Sequence, residues 1–268
     1  MLWALGRNKR TRKGGQMGRY RVERTRLPDE FRYPLRDVSH NLDKLAEMRP
    51  DGGVTFSGLS PEQSLAYSVF LLTSEVDEVI DNLNIVLGDL ERLATNAKAF
   101  YDTDPFGRFQ FLFRMYFYEY ARFEDQYGYF TKWQQEQGLL SKVDRKASRE
   151  AFFAAFEDAI KIRNTLAHDA AQWGQCTPEI AILRGLEVTR QQAIDASGKV
   201  LTWEDHLGPI CERFLRAFVD IAHPMRTFWN MEFAHLALAL VERGLLKKAS
   251  KPFEAEDPVF LRPGRPDR

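Results

Sequence analysis

Residues 160–172 read IKIRNTLAHDAAQ, and three side chains in that run have the types and spacing to act on one small group: Arg163, Asn164 and His168. A guanidinium holds a phosphate by two parallel hydrogen bonds and stabilises charge developing on it. An imidazole moves a proton near neutral pH, and neither task needs a metal. On an ideal helix with Phe152 at zero and about 100° per residue, Phe156, Ala159, Ile160, Leu166 and Ala167 gather within roughly 80°. Arg163 falls inside that apolar stripe at about 20°, and His168 at about 160°, in line with Asn164 and Glu157 at its polar margin. A guanidinium does not lose its proton, so burying it alone costs several kcal/mol. Arg163 must therefore meet an anion or water. The anion is either a bound phosphate or a carboxylate of the chain itself. The run SEVDEVIDN offers Glu75, Asp77, Glu78 and Asp81 for the second case, in which His168 is an ordinary helix-terminal residue favoured by the dipole.

The elements that carry these residues are read mostly as helices. LPDEFRYP is expected to be extended by its two prolines, RDVSHNLDKLAEMR to be a short helix ended by Pro50, and DGGVTFSG a loop. Ser60, Pro61 and Gln63 form a start signal for a helix to about Ala94. Asp104 and Pro105 open the next, which runs to about Gln137 before Gly138. The helix with the motif begins near Ser141 or Ser148 and ends before Thr177. Residues 179–203 change period, and the Asp195–Gly198 turn marks a small hairpin. Helix resumes at Trp203, with breaks expected at Gly208–Pro209 and Pro224, and fades at Gly244.

Thirteen aromatic residues crowd the stretch from Phe106 to Trp133. Phe106, Phe109, Phe113, Tyr116, Phe117, Tyr120, Phe123 and Tyr127 share one side of a helix, and Phe111, Tyr118 and Tyr129 gather nearly opposite. That two-sided pattern indicates a central helix, or one that meets the core with one face and a partner chain with the other, rather than a platform for base stacking.

At 268 residues and 44% hydrophobic, the chain can bury one large core or two small ones. The formal charge is zero, which by itself predicts no pull toward nucleic acid. The average hides an asymmetry: residues 1–26 hold nine basic side chains against the single acid Glu23. Residues 1–34 are accordingly read as a basic, disordered arm, residues 35–247 as the helical domain and residues 248–268 as a tail. The arm is either a solvated tail or an electrostatic foot on RNA or DNA. MLWAL is too short for the apolar region of a signal peptide, and no apolar run has the length of a membrane span. Cys176 and Cys211 are isolated, without metal-ligand spacing, and fit free thiols in a reducing cytoplasm. Asp220/His223 and Glu232/His235 have the Glu-x-x-His type of spacing of di-iron bundles, but only twelve residues apart around Pro224, so no metal or other cofactor is expected.

The segment RNTLAHD resembles the signature of HEPN domains (higher eukaryotes and prokaryotes nucleotide-binding): an arginine, a polar residue that is often asparagine, and a histidine after a short interval, near the end of a long helix. The apolar lead-in FFAAFEDAIKI matches the way that helix is usually built. The resemblance implies a mainly α fold, an up-and-down antiparallel helical bundle, here with a small β-hairpin insertion. It further implies a homodimer with the two motifs facing each other across a cleft. It implies metal-independent RNA cleavage in a toxin or phage-defence setting, with His168 as acid or base, Arg163 as phosphate clamp and Asn164 as a secondary polar contact. A catalytically inactive relative that binds RNA or a protein partner is the alternative. Some such toxins carry a tyrosine two residues after the histidine for modification by an antitoxin. Ala170 stands there in this chain, so neutralisation by that route is not expected, and a different antitoxin or regulatory protein stays open.

Overall fold

Apolar spacing along the chain dictates long helices, and the computed structural model, which describes residues 20–48, 54–96, 104–168 and 178–252, is 76% helix. In chain order the elements are α1 (Asp29–His40), α2 (Leu42–Leu45), β1 (Ala46–Met48), β2 (Val54–Phe56), α3 (Pro61–Thr95), α4 (Pro105–Glu136), α5 (Lys142–His168), α6 (Pro178–Val188), β3 (Ala193–Ile194), β4 (Val200–Leu201) and α7 (Trp203–Glu242). Both strand pairs are antiparallel, with Ala46 opposite Phe56 and Ala193 opposite Leu201. The chain is a mainly helical protein with two small hairpins.

The helix starts and stops follow their local chemistry. Ser60 and Gln63 form a reciprocal capping box, the Gln63 N–H donating to Ser60 Oγ at 3.2 Å and the Ser60 N–H to Gln63 Oε1 at 3.0 Å. Asp104 accepts from the N–H groups of Phe106 and Gly107 at the head of α4. Gly138 (φ +66°) and Gly244 (φ +69°) take the left-handed conformation that ends α4 and α7. The N–H of Leu139 bonds the Gln134 carbonyl and that of Leu245 the Leu240 carbonyl, so each end closes as a Schellman motif.

Four expectations are corrected. The stretch from Asp29 is helical through Pro34, because Phe31, Pro34, Leu35 and Val38 form an i, i+3, i+4, i+7 stripe that is buried. That burial outweighs the one backbone bond Pro34 cannot make. The basic arm therefore does not extend to residue 34. Val22 is 1% exposed and its backbone is clasped by the Asn84 amide through two 2.8 Å bonds, while Arg24 pairs with Asp81. Val54–Phe56, read as loop, is a strand, as its β-branched and aromatic residues favour. Residues 178–188, read as part of the β insertion, are helical, with Ile180 and Leu183 buried on one side.

The fourth correction concerns α7, which runs unbroken through Gly208, Pro209 and Pro224. Buried residues flank both prolines: Leu207, Ile210 and Cys211 around the first, Ala222 and Met225 around the second. Gly208 has a packing role, because a Cβ there would stand 2.8 Å from the Ala94 carbonyl oxygen. A close helix crossing, not a turn, is what the glycine permits.

The described residues divide into two compact units. One comprises residues 25–48, 54–77 and 226–252, with Phe31, Leu35, Val69, Phe70, Trp229, Phe233 and Leu240 buried. Its link from Thr25 to α3 is a pair of bonds, Thr25 N–H and Oγ1 both donating to Asp77 Oδ1 at 2.8 and 2.7 Å. The other comprises residues 20–24, 78–96, 104–168 and 178–225, built on the inner face of α4. Tyr116 stacks on Phe218 of α7 with centroids 3.9 Å apart and planes 9° apart, and its hydroxyl donates to the Phe218 carbonyl. Phe109 and Phe113 add Phe214 at 5.6 and 5.0 Å.

Burial pushes the phenols of Tyr116 and Tyr120 well above their ordinary range, with the neighbouring Tyr120 adding to the shift at Tyr116, and it pushes the Cys211 thiol up to about 12. An unfolded chain releases these protons first, from about pH 9 for the thiol and 10 for the phenols, so the native form holds more protons in that range. Stability is thus complete below pH 9 and should fall as pH rises toward 12, by up to about 1.4 kcal/mol per pH unit for each titrating group. Urea unfolding from pH 8 to 11 tests this, and Tyr120→Phe should flatten the decline.

Candidate functional site

α5 starts at a side-chain cap. Ser141 Oγ accepts from the Asp144 N–H at 3.1 Å and donates to the Asp144 carboxylate at 2.6 Å. The helix then runs antiparallel to α4: Arg145 Nη1 bonds Gln135 Oε1 at 3.2 Å, and Phe152 stacks on Tyr127 with centroids 4.7 Å and planes 16° apart. Phe152 is 2% exposed and Ala159 is buried, with Phe156 and Ile160 half-buried between solvent and core. These four are the stripe expected from helical phasing.

Phe156 departs from helical geometry, with φ −121° and ψ 17°, and α5 bends there. The bend separates a first half locked by the Phe152–Tyr127 stack from a second half that carries the motif. Beyond it, Lys161 pairs with Glu157 at 2.7 Å on the exposed side, a contact that raises the ammonium's pKa through the hydrogen bond and the charge of Glu157. Arg163, Asn164 and His168 all belong to this second half, His168 being the last residue of α5. Asn164 is exposed. The side chains of Arg163 and His168 lie outside the described residues, as does Cys176. The two positions are five residues apart on the helix, a rise of about 7.5 Å.

Three of the four carboxylates of the run SEVDEVIDN have described partners. Asp77 accepts from Thr25, Asp81 pairs with Arg24, and Glu78 accepts from Arg122 Nη2 at 3.1 Å, while Glu75 is exposed. Asp220, His223, Glu232 and His235 all lie on α7, and among the described residues no group of three or more His, Cys, Asp or Glu side chains is placed to hold a metal ion. No helix of the described residues is long and apolar enough to cross a membrane.

A second polar constellation joins α3 to α4. Glu119 Oε2 accepts from Asn82 Nδ2 and Arg122 Nη1, each at 2.9 Å, and Arg122 reaches on to Glu78. Next to it a shallow groove of about 280 Å³ is lined by Ile85, Phe111, Met115 and the Arg108–Asp89 pair at 2.8 Å. Nothing in the local sequence around Asn82 marks this network, because its members are brought together only by helix pairing. The outward Phe111 was the one visible signal.

No family model, curated protein or solved structure matches this chain. The chemistry of the motif and its place on α5 are therefore what a functional reading has to stand on.

Phe152→Ala should remove the anchor of the motif helix, costing about 3–5 kcal/mol in urea unfolding for a buried ring. Amide exchange across residues 157–168 should rise more than across α7. Equal acceleration in both helices would show that the stack does not hold the motif segment locally.

Proposed function

We propose that Arg163, Asn164 and His168 form the centre of a metal-independent endoribonuclease of HEPN type. The observation that carries the reading is the Arg-Asn-x3-His spacing on the last turns of a long helix, with Asn164 exposed and the segment set off from the core-anchored half of α5 by the bend at Phe156. The chemistry needs two groups. His168 in its neutral form takes the proton of a ribose 2′-hydroxyl, and the resulting oxyanion attacks the adjacent phosphorus. As the new O–P bond forms, the bond to the 5′-oxygen breaks, and that oxygen leaves with a proton from an acid or from water. A 2′,3′-cyclic phosphate and a 5′-hydroxyl result. Arg163 offsets the charge that builds on the non-bridging oxygens, and Asn164 donates to the phosphate or ribose. The reading also carries a homodimer, a cytoplasmic setting, RNA as the partner and an antitoxin or other regulatory protein as the restraint on a toxin or defence nuclease.

The test is incubation of the purified protein with mixed cellular RNA in EDTA, beside His168→Ala, Arg163→Ala and Asn164→Ala. Wild-type cleavage should be lost by about 10²–10⁴-fold in the first two, with urea midpoints unchanged. Asn164→Ala should retain more activity. Absence of cleavage with binding retained in all variants would identify a binding protein instead, and unfolding of Arg163→Ala alone would identify a structural ion pair.

The basic N-terminal segment serves that reading as an electrostatic foot. Residues 1–19 hold Arg7, Lys9, Arg10, Arg12, Lys13 and Arg19 and no acid, and they precede the buried Val22. Deleting residues 1–19 should weaken RNA binding and reduce the slope of log K against log salt by up to about 4. An unchanged slope would remove the segment from the binding surface.

A further inference from the structure

The outward face of α4 carries a stripe that the core does not use. Phe111, Met115, Tyr118, Arg122, Asp125 and Tyr129 follow one another at alternating steps of four and three residues, the spacing of a coiled-coil seam. Lys132 and Glu136 continue it. Phe111, Tyr118 and Tyr129 are 51%, 47% and 62% exposed, and Ile85 of α3, beside Phe111 in the groove, is 65% exposed. Water disfavours so much contiguous aromatic and aliphatic surface on one side of one helix.

The charges in the stripe select the occupant. Arg122 is held on the face by its bonds to Glu119 and Glu78. Asp125, exposed and one turn further on, has no ion pair among the described residues. Lay α4 antiparallel on a copy of itself with Tyr118 facing Tyr129 of the second copy, and Arg122 faces Asp125, twice by symmetry. Met115 then lies along the aliphatic stem of Lys132, and Phe111 along that of Glu136. Sliding one heptad in one direction sets Arg122 against Lys132, and one heptad in the other sets the Asp125 carboxylate against Met115, leaving it without a counter-charge. The stripe is complementary to its own reverse in the register that matches all eight positions.

We propose that a second copy of this chain docks antiparallel along the outward face of α4, in a two-fold dimer with Tyr118 against Tyr129 and Arg122 against Asp125. This gives a concrete interface to the homodimer of the proposed function, but it rests on α4 and not on Arg163 or His168. The cleavage assay and the mass measurement therefore fail independently.

Light scattering at micromolar concentration should return twice the chain mass of 31.1 kDa. Asp125→Arg and Tyr118→Glu should each raise the dissociation constant at least tenfold, with urea midpoints near wild type because both positions are exposed. In a Cys176→Ser background, a mixture of Tyr118→Cys and Tyr129→Cys chains should oxidise to a covalent dimer. Neither variant alone should do so, since like positions stand about 16 Å apart along the helices, beyond disulfide reach. Three results would overturn the proposal: a wild-type mass of one chain, a dimer indifferent to both substitutions, or a monomer that takes up single-stranded RNA on Phe111, Tyr118 and Tyr129.

Discussion

The stack of Tyr116 on Phe218, with the Tyr116 hydroxyl bonded to the Phe218 carbonyl, is the contact on which the larger unit depends. A buried phenol is tolerated only when its hydroxyl finds a partner, and here the partner is the backbone of the helix the ring packs against. One side chain thus fixes both the distance and the rotation of α4 relative to α7. Phe109 and Phe113 extend the contact through Phe214 toward the start of α4. In the other direction along α4, Tyr127 receives Phe152 of α5. The inner face of α4 is in this way a single ring ladder that orders two other helices, and the half of α5 with Arg163 and His168 follows the Phe152 contact.

Long helices with internal prolines stand only where packing supplies what the backbone lacks. Pro34, Pro209 and Pro224 each remove one helix hydrogen bond, and each sits among residues that are buried. The glycine beside Pro209 has a different origin: the Ala94 carbonyl approaches so closely that a side chain would collide with it. Polar clasps do comparable work at the N-terminal side, where Asn84 mimics a strand partner for Val22 and Asp77 ties down Thr25. These contacts tie residues 22–25, inside the stretch read as the basic arm, to α3.

The motif segment combines anchorage and freedom. Phe152 is locked, Ala159 is buried, and between them the backbone leaves helical geometry at Phe156. The roles proposed for Arg163 and His168, phosphate binding and proton transfer, gain from a rigid element that holds them, and Asn164 between them is exposed. Of the acidic residues that offer a structural explanation for Arg163, Asp77, Asp81 and Glu78 bond Thr25, Arg24 and Arg122.

The sequence alone determined what depends on neighbours within a turn or two. The Ser60 and Asp104 caps, the Gly138 and Gly244 stops, the Asp195–Gly198 turn and the division of the α4 aromatics into a buried and an exposed face were all legible there, because capping, left-handed backbone and 3.6-residue periodicity are local. The motif spacing was legible for the same reason. The tertiary structure alone decided that α7 continues through two prolines, that Gly208 serves a crossing, that α1 begins at Asp29, and that Asn82, Glu119, Arg122 and Glu78 form one network. Each of these turns on burial or on a contact between residues far apart in the chain, and those energies outweigh the local preferences from which a sequence is read.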